Sequence, residues 1–357
     1  MSRNLTYQMP TQIVYGENSL NDIDNYINGR KTLLITSEGF VTRGLVSKIK
    51  SLTKNIVEVI SDIKSHPEFK DLEINYNKIR KIDFELILAV GGGSVLDASK
   101  YFSVYNDAKE ASFVTNIIKG KVDKKDYKTI SIISVPTTAG TGSEITPWAS
   151  IWDLDAKKKY SLHLPELFSE IALYDSTLTV TVPKDITIQT GLDTLSHALE
   201  SIWNKNANEI TINYAIRSAK LIMKNLTFLV NDLENLEYRD NIMKACMYAG
   251  LAFSNTQTAI AHAISYYITA NKGVEHGIAC SFTLPLLIDN ILGKSDIIDQ
   301  ALKEIFGELN SNPLRAMLKE LNVSTDFSDY GIDENELEIL KATLANNQRA
   351  GNSLVEI

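Results

Sequence analysis

Cysteine is scarce: Cys246 and Cys280 are the only two in 357 residues, they lie far apart, and they form no pairing pattern. A disulfide framework is excluded, the spacing suggests no thiolate metal site, and a reducing cytoplasm is the expected setting. Long apolar runs are lacking as well. No stretch approaches the roughly 18 residues that span a bilayer, and the opening MSRNLTYQMPTQ has no apolar core, so a soluble, unexported chain is expected. There is no excess of basic residues either. Lys plus Arg number 36 against 44 Asp plus Glu, for a net charge of −8, and this balance leaves no electrostatic footprint for nucleic acid or anionic lipid. With only 8 Pro and 18 Gly, the collagen-like and low-complexity classes are excluded too.

What is present is an ordinary globular composition, 44% apolar and 22% charged, on a chain longer than one hydrophobic core usually supports. Two domains are therefore expected. From Lys31 to about Asp175 the runs TLLIT, IVEVI, ELILAV, TISIISV and EIALYD alternate with polar amphipathic stretches. Short buried strands separated by helices build a largely parallel sheet, the α/β pattern. After Pro183 the strand-like runs stop, and stretches such as INYAIRSAKLIMKNLTFLV carry apolar residues at helical spacing. The expectation is an α/β nucleotide-type domain over residues 1–180 and an all-helical domain over 181–357, divided near VTVPKD.

In ELILAVGGGSVLDASKYF an apolar strand, three glycines and the start of a helix near Ser94 come together. Glycines let backbone approach a pyrophosphate, and a helix's first turn offers unpaired N–H groups and a positive dipole end. The spacing is not GxGxxG, and a glycine turn between strand and helix is often only a turn. Asp97, placed in the first helical turn, reads as structural, stabilising the dipole. A second loop, PTTAGTGSE, is rich in small hydrogen-bonding residues; it suits the ribose or amide of a nucleotide, or equally an ordinary polar turn.

Histidine is rare, with five in the chain, and three lie in helical territory. Asp193 and His197 in GLDTLSHALES are one helical turn apart and project from one face, which suits a shared ion or a helix ion pair. His262 in AIAHAISYY and His276 in VEHGIAC sit among small and apolar residues, where a buried, backbone-satisfied imidazole is the alternative. One carboxylate with three imidazoles would suit Fe(II), Zn(II) or Mn(II). Such an ion keeps net positive charge and polarises a carbonyl or lowers the pKa of an alcohol; beside a nicotinamide it implies hydride transfer. His66 and His163, each near a proline, read as surface residues.

Taken in order, GGGSVLDASK, PTTAGTGSE, GLDTLSHALES, AHAIS and EHGIA resemble the iron-containing alcohol dehydrogenase family over nearly the whole chain. The resemblance implies a Rossmann-like nucleotide-binding domain followed by a helical metal-binding domain, the plan also found in dehydroquinate synthase, with metal and nicotinamide in the cleft between them. It implies Asp193, His197, His262 and His276 as metal ligands. Gly92, Gly93 and Ser94 would hold the pyrophosphate of NAD or NADP, and Thr137, Thr138, Thr141 and Ser143 would line the nicotinamide side. Lys159 and Leu178 match further cofactor positions, although a KKK run is usually a solvated face. Homodimers or larger homo-oligomers are expected. Within the family, PTTAGTGSEITPWASIWD, KKKYSL and AHAISYYIT look most like the phosphonoacetaldehyde reductase group, although no cluster of basic residues announces a phosphonate pocket.

Three departures from the family pattern stand out. Tyr266 replaces a histidine that many members carry four residues after the third ligand, so it is either a residue that positions substrate or a relay water, or core packing. Ser37 stands where NAD-preferring relatives place an aspartate, which leaves NADP open. His66 in SHPEF replaces the usual residue of a PNP-like turn. The competing functions are a dehydroquinate-synthase-like lyase using bound NAD transiently, and a non-catalytic scaffold on the same fold.

Overall fold

The computed structural model describes residues 5–108, 110–123, 125–156 and 158–357. The chain divides into an α/β unit, Pro10–Thr138 with Ser143–Leu178, and a helical unit made of Thr179–Ile357, Ala139–Gly142 and the segment ending at Met9.

The α/β unit runs β1 (Gln12–Tyr15), α1 (Ile23–Ile27), β2 (Thr32–Ile35), α2 (Glu38–Thr42), α3 (Leu45–Leu52), β3 (Ile56–Ile60) and α4 (Phe69–Ile79). There follow β4 (Leu86–Gly91), α5 (Gly93–Ser103), β5 (Val104–Tyr105), α6 (Ala111–Ile118), β6 (Lys128–Thr129) and β7 (Ser131–Pro136). The unit ends with β8 (Trp148–Asp153), β9 (Lys158–His163) and β10 (Ile171–Tyr174). One six-stranded sheet has the order β1-β10-β7-β4-β2-β3, with every pairing parallel. The five apolar runs of the sequence are β2, β3, β4, β7 and β10, so the α/β expectation holds.

The period of two along a strand sends neighbours to opposite faces. Leu33, Ile35, Ile87, Ala89 and Ile132 pack under α4, α5 and α6, whereas Leu34, Leu86, Leu88, Val90 and Ile133 pack against α1 and α3. With helices on both faces, β2 and β4 are buried along their whole length and read as continuous apolar runs. Each such Leu or Ile stabilises the unit by about 1.5–3 kcal/mol relative to leaving it exposed. Two features escaped the sequence reading. β1 is an edge strand of mixed exposure, and β8 and β9 form a separate antiparallel hairpin whose polar residues broke the apolar pattern.

The helical unit runs α7 (Lys184–Ile202), α8 (Glu209–Asn231), α9 (Leu236–Thr256), α10 (Ile260–Lys272) and α11 (His276–Ser281). It continues through α12 (Leu284–Ile291), α13 (Asp296–Phe306), α14 (Asn312–Glu320) and α15 (Glu334–Ala345). Pro183 is the N-cap of α7, and a reciprocal capping box of Asn208 and Thr211 starts α8. Gly273, at φ +70°, ends α10 in the left-handed conformation and turns the chain into α11. A Cβ on Gly277 would fall 1.9 Å from the Gln189 carbonyl oxygen, so only glycine lets α11 lie this close to α7. No described helix is long and apolar enough to cross a membrane.

Candidate metal centre and nucleotide-binding loop

Within the helical unit, α7, α10 and α11 each aim a side chain at one point. Asp193 Oδ1 lies 3.3 Å from His262 Nε2 and 3.8 Å from both His197 Nε2 and His276 Nε2. Bonds of about 2.1 Å to a tetrahedral ion place its ligands roughly 3.4 Å apart, so these separations suit a bound divalent cation. Asp193 Oδ1 and His262 Nε2 are buried and lack any hydrogen-bond partner, the state of donor atoms that face an ion. The His276 side chain is 31% exposed while those of Asp193, His197 and His262 are 7% or less, so the set opens at His276.

The imidazoles are oriented from behind. Glu200, one turn beyond His197 on α7 and fully buried, takes His262 Nδ1 at 2.6 Å. Its carboxylate also accepts the backbone N–H groups of Ala259 at 2.8 Å, of His262 at 3.3 Å and of Ala261. With Nδ1–H committed to Glu200, the Nε2 lone pair of His262 faces Asp193. Ser265 works in the same way on His276. Its hydroxyl donates to the His262 carbonyl at 2.8 Å and so receives His276 Nδ1–H at 3.2 Å, leaving Nε2 for the cluster. His197 is clamped flat between Phe253, with centroids 4.1 Å apart, and His262, at 4.4 Å.

The electrostatics of Asp193 and His197 fit ligands in their deprotonated forms, whereas at His262 the anionic neighbours, Glu200 and Asp193 among them, outweigh burial and push the ring up. Burial alone would raise Asp193, but the surrounding imidazoles, His197 foremost, outweigh it and hold the carboxyl well below its usual range. Burial pushes His197 down to about 4, against the pull of Asp193, so its ring is neutral at pH 7.

Two neighbours of this cluster were missed or misjudged in the sequence. In GLDTLSHALES the signal the sequence offers for Glu200 is its place three residues after His197 on the same helix face. Cys280, read as unconnected with any metal site, in fact stands within 4.8 Å of donor atoms from Asp193, His262 and His276. It follows His276 by one turn on α11, the spacing already used for Asp193 and His197, and its Sγ is 3.7 Å from the imidazole. Burial pushes the Cys280 thiol up, which keeps it protonated and a weak donor beside His262 and His276. Tyr266 is half-buried on α10, and its ring lies parallel to that of His276 with centroids 5.7 Å apart.

The glycine segment lies in the α/β unit. β4 ends at Gly91, Gly92 is the N-cap of α5, and Gly93 and Ser94 open its first turn, all three partly exposed. A Cβ on Gly91 would meet Val95 at 2.6 Å, and one on Gly92 would press Thr138 Oγ1 at 3.3 Å. The buried Thr137 donates its N–H to the Gly91 carbonyl at 3.1 Å, which sets Thr137 and Thr138 beside the glycines. This strand, turn and helix start could hold a pyrophosphate.

Ser143 is buried, its hydroxyl donating to Asp97 at 2.6 Å and receiving Lys100 Nζ at 2.9 Å. Asp97 lies beyond the first turn of α5, and its second oxygen accepts Ser150 N–H at 2.8 Å; it fastens a loop rather than stabilising the helix dipole as expected. Thr141 is exposed, in the stretch Ala139–Gly142 that belongs to the helical unit. There a Cβ on Gly140 would strike Thr190 Cβ at 2.7 Å, and Gly142, at φ +60°, lies against Phe253. Ser37 follows the end of β2 and bridges to Asp62. Lys159 sits on β9 with its ammonium 5.7 Å from the Trp152 ring centre, and Leu178 packs against the α1 and α3 core. His66 and His163 are exposed.

Residues 10–176 match the iron-containing alcohol dehydrogenase family, and residues 187–353 match that family's carboxy-terminal domain. The chain belongs to this family. Among individual relatives, an NADPH-dependent butanol dehydrogenase of Clostridium saccharobutylicum is 28% identical over 349 residues, covering 94% of this chain and 89% of its own length. An aldehyde-alcohol dehydrogenase of Streptococcus pneumoniae is 27% identical over 79% of this chain, which spans only 33% of that longer protein. A crystal structure of sulfoacetaldehyde reductase from Bifidobacterium kashiwanohense in complex with NAD+ matches with a TM-score of 0.92 and 26% identity, covering 100% of this chain and 96% of that one.

Proposed function

We propose that the protein is a metal-dependent alcohol dehydrogenase or aldehyde reductase that transfers hydride between NAD(P)H and a small aldehyde, with phosphonoacetaldehyde as the candidate substrate. The observation that carries this reading is the convergence of three imidazole Nε2 atoms on the buried, unpartnered Asp193 Oδ1. Asp193, His197, His262 and His276 would hold Fe(II), Zn(II) or Mn(II), and the ion supplies Lewis-acid polarisation of the carbonyl. Glu200 and Ser265 keep the imidazoles in the binding tautomer. Gly92, Gly93 and Ser94 would bind the pyrophosphate of NAD or NADP, with Thr137 and Thr138 beside it. Thr141, Ser143, Lys159, Leu178 and Ser37 complete the proposed cofactor set, and Tyr266 is proposed to position substrate. A homo-oligomer in a reducing cytoplasm fits this reading.

The balanced reaction is aldehyde plus NAD(P)H plus a proton giving alcohol plus NAD(P)+. The test is loss of nicotinamide absorbance on iron-reconstituted protein, using propanal, succinic semialdehyde, sulfoacetaldehyde and phosphonoacetaldehyde with each cofactor. Metal-dependent turnover that a chelator abolishes is expected. Redox-neutral consumption of substrate would favour the lyase reading, and no turnover with any aldehyde would overturn the proposal.

A further inference from the structure

The chain has two cysteines, and the fold places them differently. Cys246 lies on α9 and Cys280 on α11, both buried. Among the described residues, Asp193, His262, His276 and Cys280 each offer one donor atom to a group in which all four atoms lie within 4.8 Å of one another, and Cys246 has no part in it. His276 opens α11 and Cys280 follows it by four residues, so both side chains leave one face of that helix. Gly277, against the Gln189 carbonyl, brings the same helix onto α7, which carries Asp193. Cys280 Sγ stands 3.7 Å from each ring nitrogen of His276. A sulfur about 2.3 Å and an imidazole nitrogen about 2.1 Å from one tetrahedral ion are themselves about 3.6 Å apart. The observed separation is therefore that of two ligands of one ion.

A cysteine packed merely as a small apolar side chain leaves two neighbours unexplained. Asp193 and His262 are 5% and 1% exposed, and Asp193 Oδ1 and His262 Nε2 have no hydrogen-bond partner, as expected of atoms that face an ion within reach of the sulfur. One carboxylate and one thiolate together balance a dication, which lowers the cost of holding its charge in a buried pocket. We propose that Cys280 is a ligand of the metal centre, binding as thiolate beside Asp193, His262 and His276, and that the sulfur biases the centre toward a thiophilic dication such as Zn(II) or Co(II) and away from Mn(II). This rests on the metal-dependent reading above and narrows its choice of ion. On binding, the sulfur–hydrogen bond is exchanged for a sulfur–metal bond without change of oxidation state, and the proton leaves to the buffer.

In the experiment, metal-free wild type and Cys280→Ser are loaded with Zn(II), Co(II) or Mn(II) alone. X-ray absorption of the Zn(II)-loaded wild type should show a sulfur at about 2.3 Å beside nitrogen and oxygen at about 2.0–2.1 Å, and the Co(II)-loaded wild type should show a sulfur-to-cobalt charge-transfer band in the near ultraviolet. Both signals should vanish in Cys280→Ser. Nitrogen and oxygen sites already bind Mn(II) the more weakly, so the informative quantity is the change in the Zn(II) to Mn(II) affinity ratio, measured by chelator competition. That ratio should fall by at least about tenfold in Cys280→Ser, whereas a merely structural cysteine would weaken both ions alike. Bound Zn(II) surrounded only by nitrogen and oxygen in the wild type overturns the proposal, whether or not the variant folds. A sulfur signal that persists in Cys280→Ser overturns it as well. A wild type that binds none of the three ions refutes the metal centre and this inference with it, whereas sulfur ligation in a protein that reduces no aldehyde supports Cys280 and refutes the reductase reading alone.

Discussion

Replacing Glu200 with glutamine changes one buried oxygen to an NH2 group and leaves the shape almost untouched. Every partner of Glu200 is a donor: Oε2 serves Ala259 N–H and His262 Nδ1, and Oε1 serves Ala261 N–H and His262 N–H. Whichever way the amide turns, two donors face a donor. If the amide nitrogen faces the ring, His262 can relieve the conflict by moving its proton to Nε2, and that removes the lone pair offered to the metal. At about 1–3 kcal/mol for each unsatisfied buried group, Glu200→Gln should cost about 2–5 kcal/mol of stability if the protein does not relax. Loss of the carboxylate behind a ligating histidine should weaken metal binding by about 10- to 100-fold. Chelator competition for Zn(II) or Co(II) gives the affinity, denaturant unfolding of metal-free protein gives the stability, and nitrogen NMR of the imidazoles reports the His262 tautomer. Wild-type metal affinity in folded Glu200→Gln protein would refute the orienting role.

Gly277→Ala should lower stability by about 1–3 kcal/mol and weaken metal binding, since the new methyl must push α11, and His276 with it, off the Gln189 carbonyl; an unchanged melting temperature and metal content would show that α11 does not need this approach. Ser37→Asp should shift the cofactor preference at least tenfold toward NADH through repulsion of a 2′-phosphate, and an unchanged NADPH to NADH efficiency ratio would place Ser37 away from the ribose. Lys100 is fully buried on α5, and burial lowers it from 10.5 to about 8. Between those values the unfolded chain binds more protons than the folded one, so the cost of burying the ammonium, fully present below pH 8, is relieved as pH rises, by about 3 kcal/mol in all. Lys100→Met should flatten that rise in urea unfolding between pH 8 and 10, and parallel curves for the two proteins would contradict it.

How much was legible follows from how local each signal is. β2, β4, β7 and β10 stood out because burial on both faces makes continuous apolar runs. β9 did not, because its lysines lie along an exposed hairpin edge, and a charge run looks the same on a strand as on a loop. Asp193 and His197 share one turn of α7, so their common direction could be inferred without a structure. Glu200 lies on the same helix, yet its meaning depends on Ala259, Ala261 and His262 about sixty positions later, a relation no local pattern encodes.

The strip Ala139–Gly142 has a consequence for how this chain can be divided. Thr194 of α7 donates to the Ala139 carbonyl at 3.2 Å, Gly140 abuts Thr190, and Gly142 abuts Phe253, whose ring supports His197. Four residues encoded in the first half of the gene are thus part of the scaffold under a histidine encoded in the second. A helical fragment expressed from residue 181 would contain all four metal donors and lack the surface that steadies one of them. Chimeras joined at that seam would pair a strip from one parent with Thr190, Thr194 and Phe253 from the other. The heritable module is therefore discontinuous, and an exchange between relatives must carry Ala139–Gly142 along with the helices.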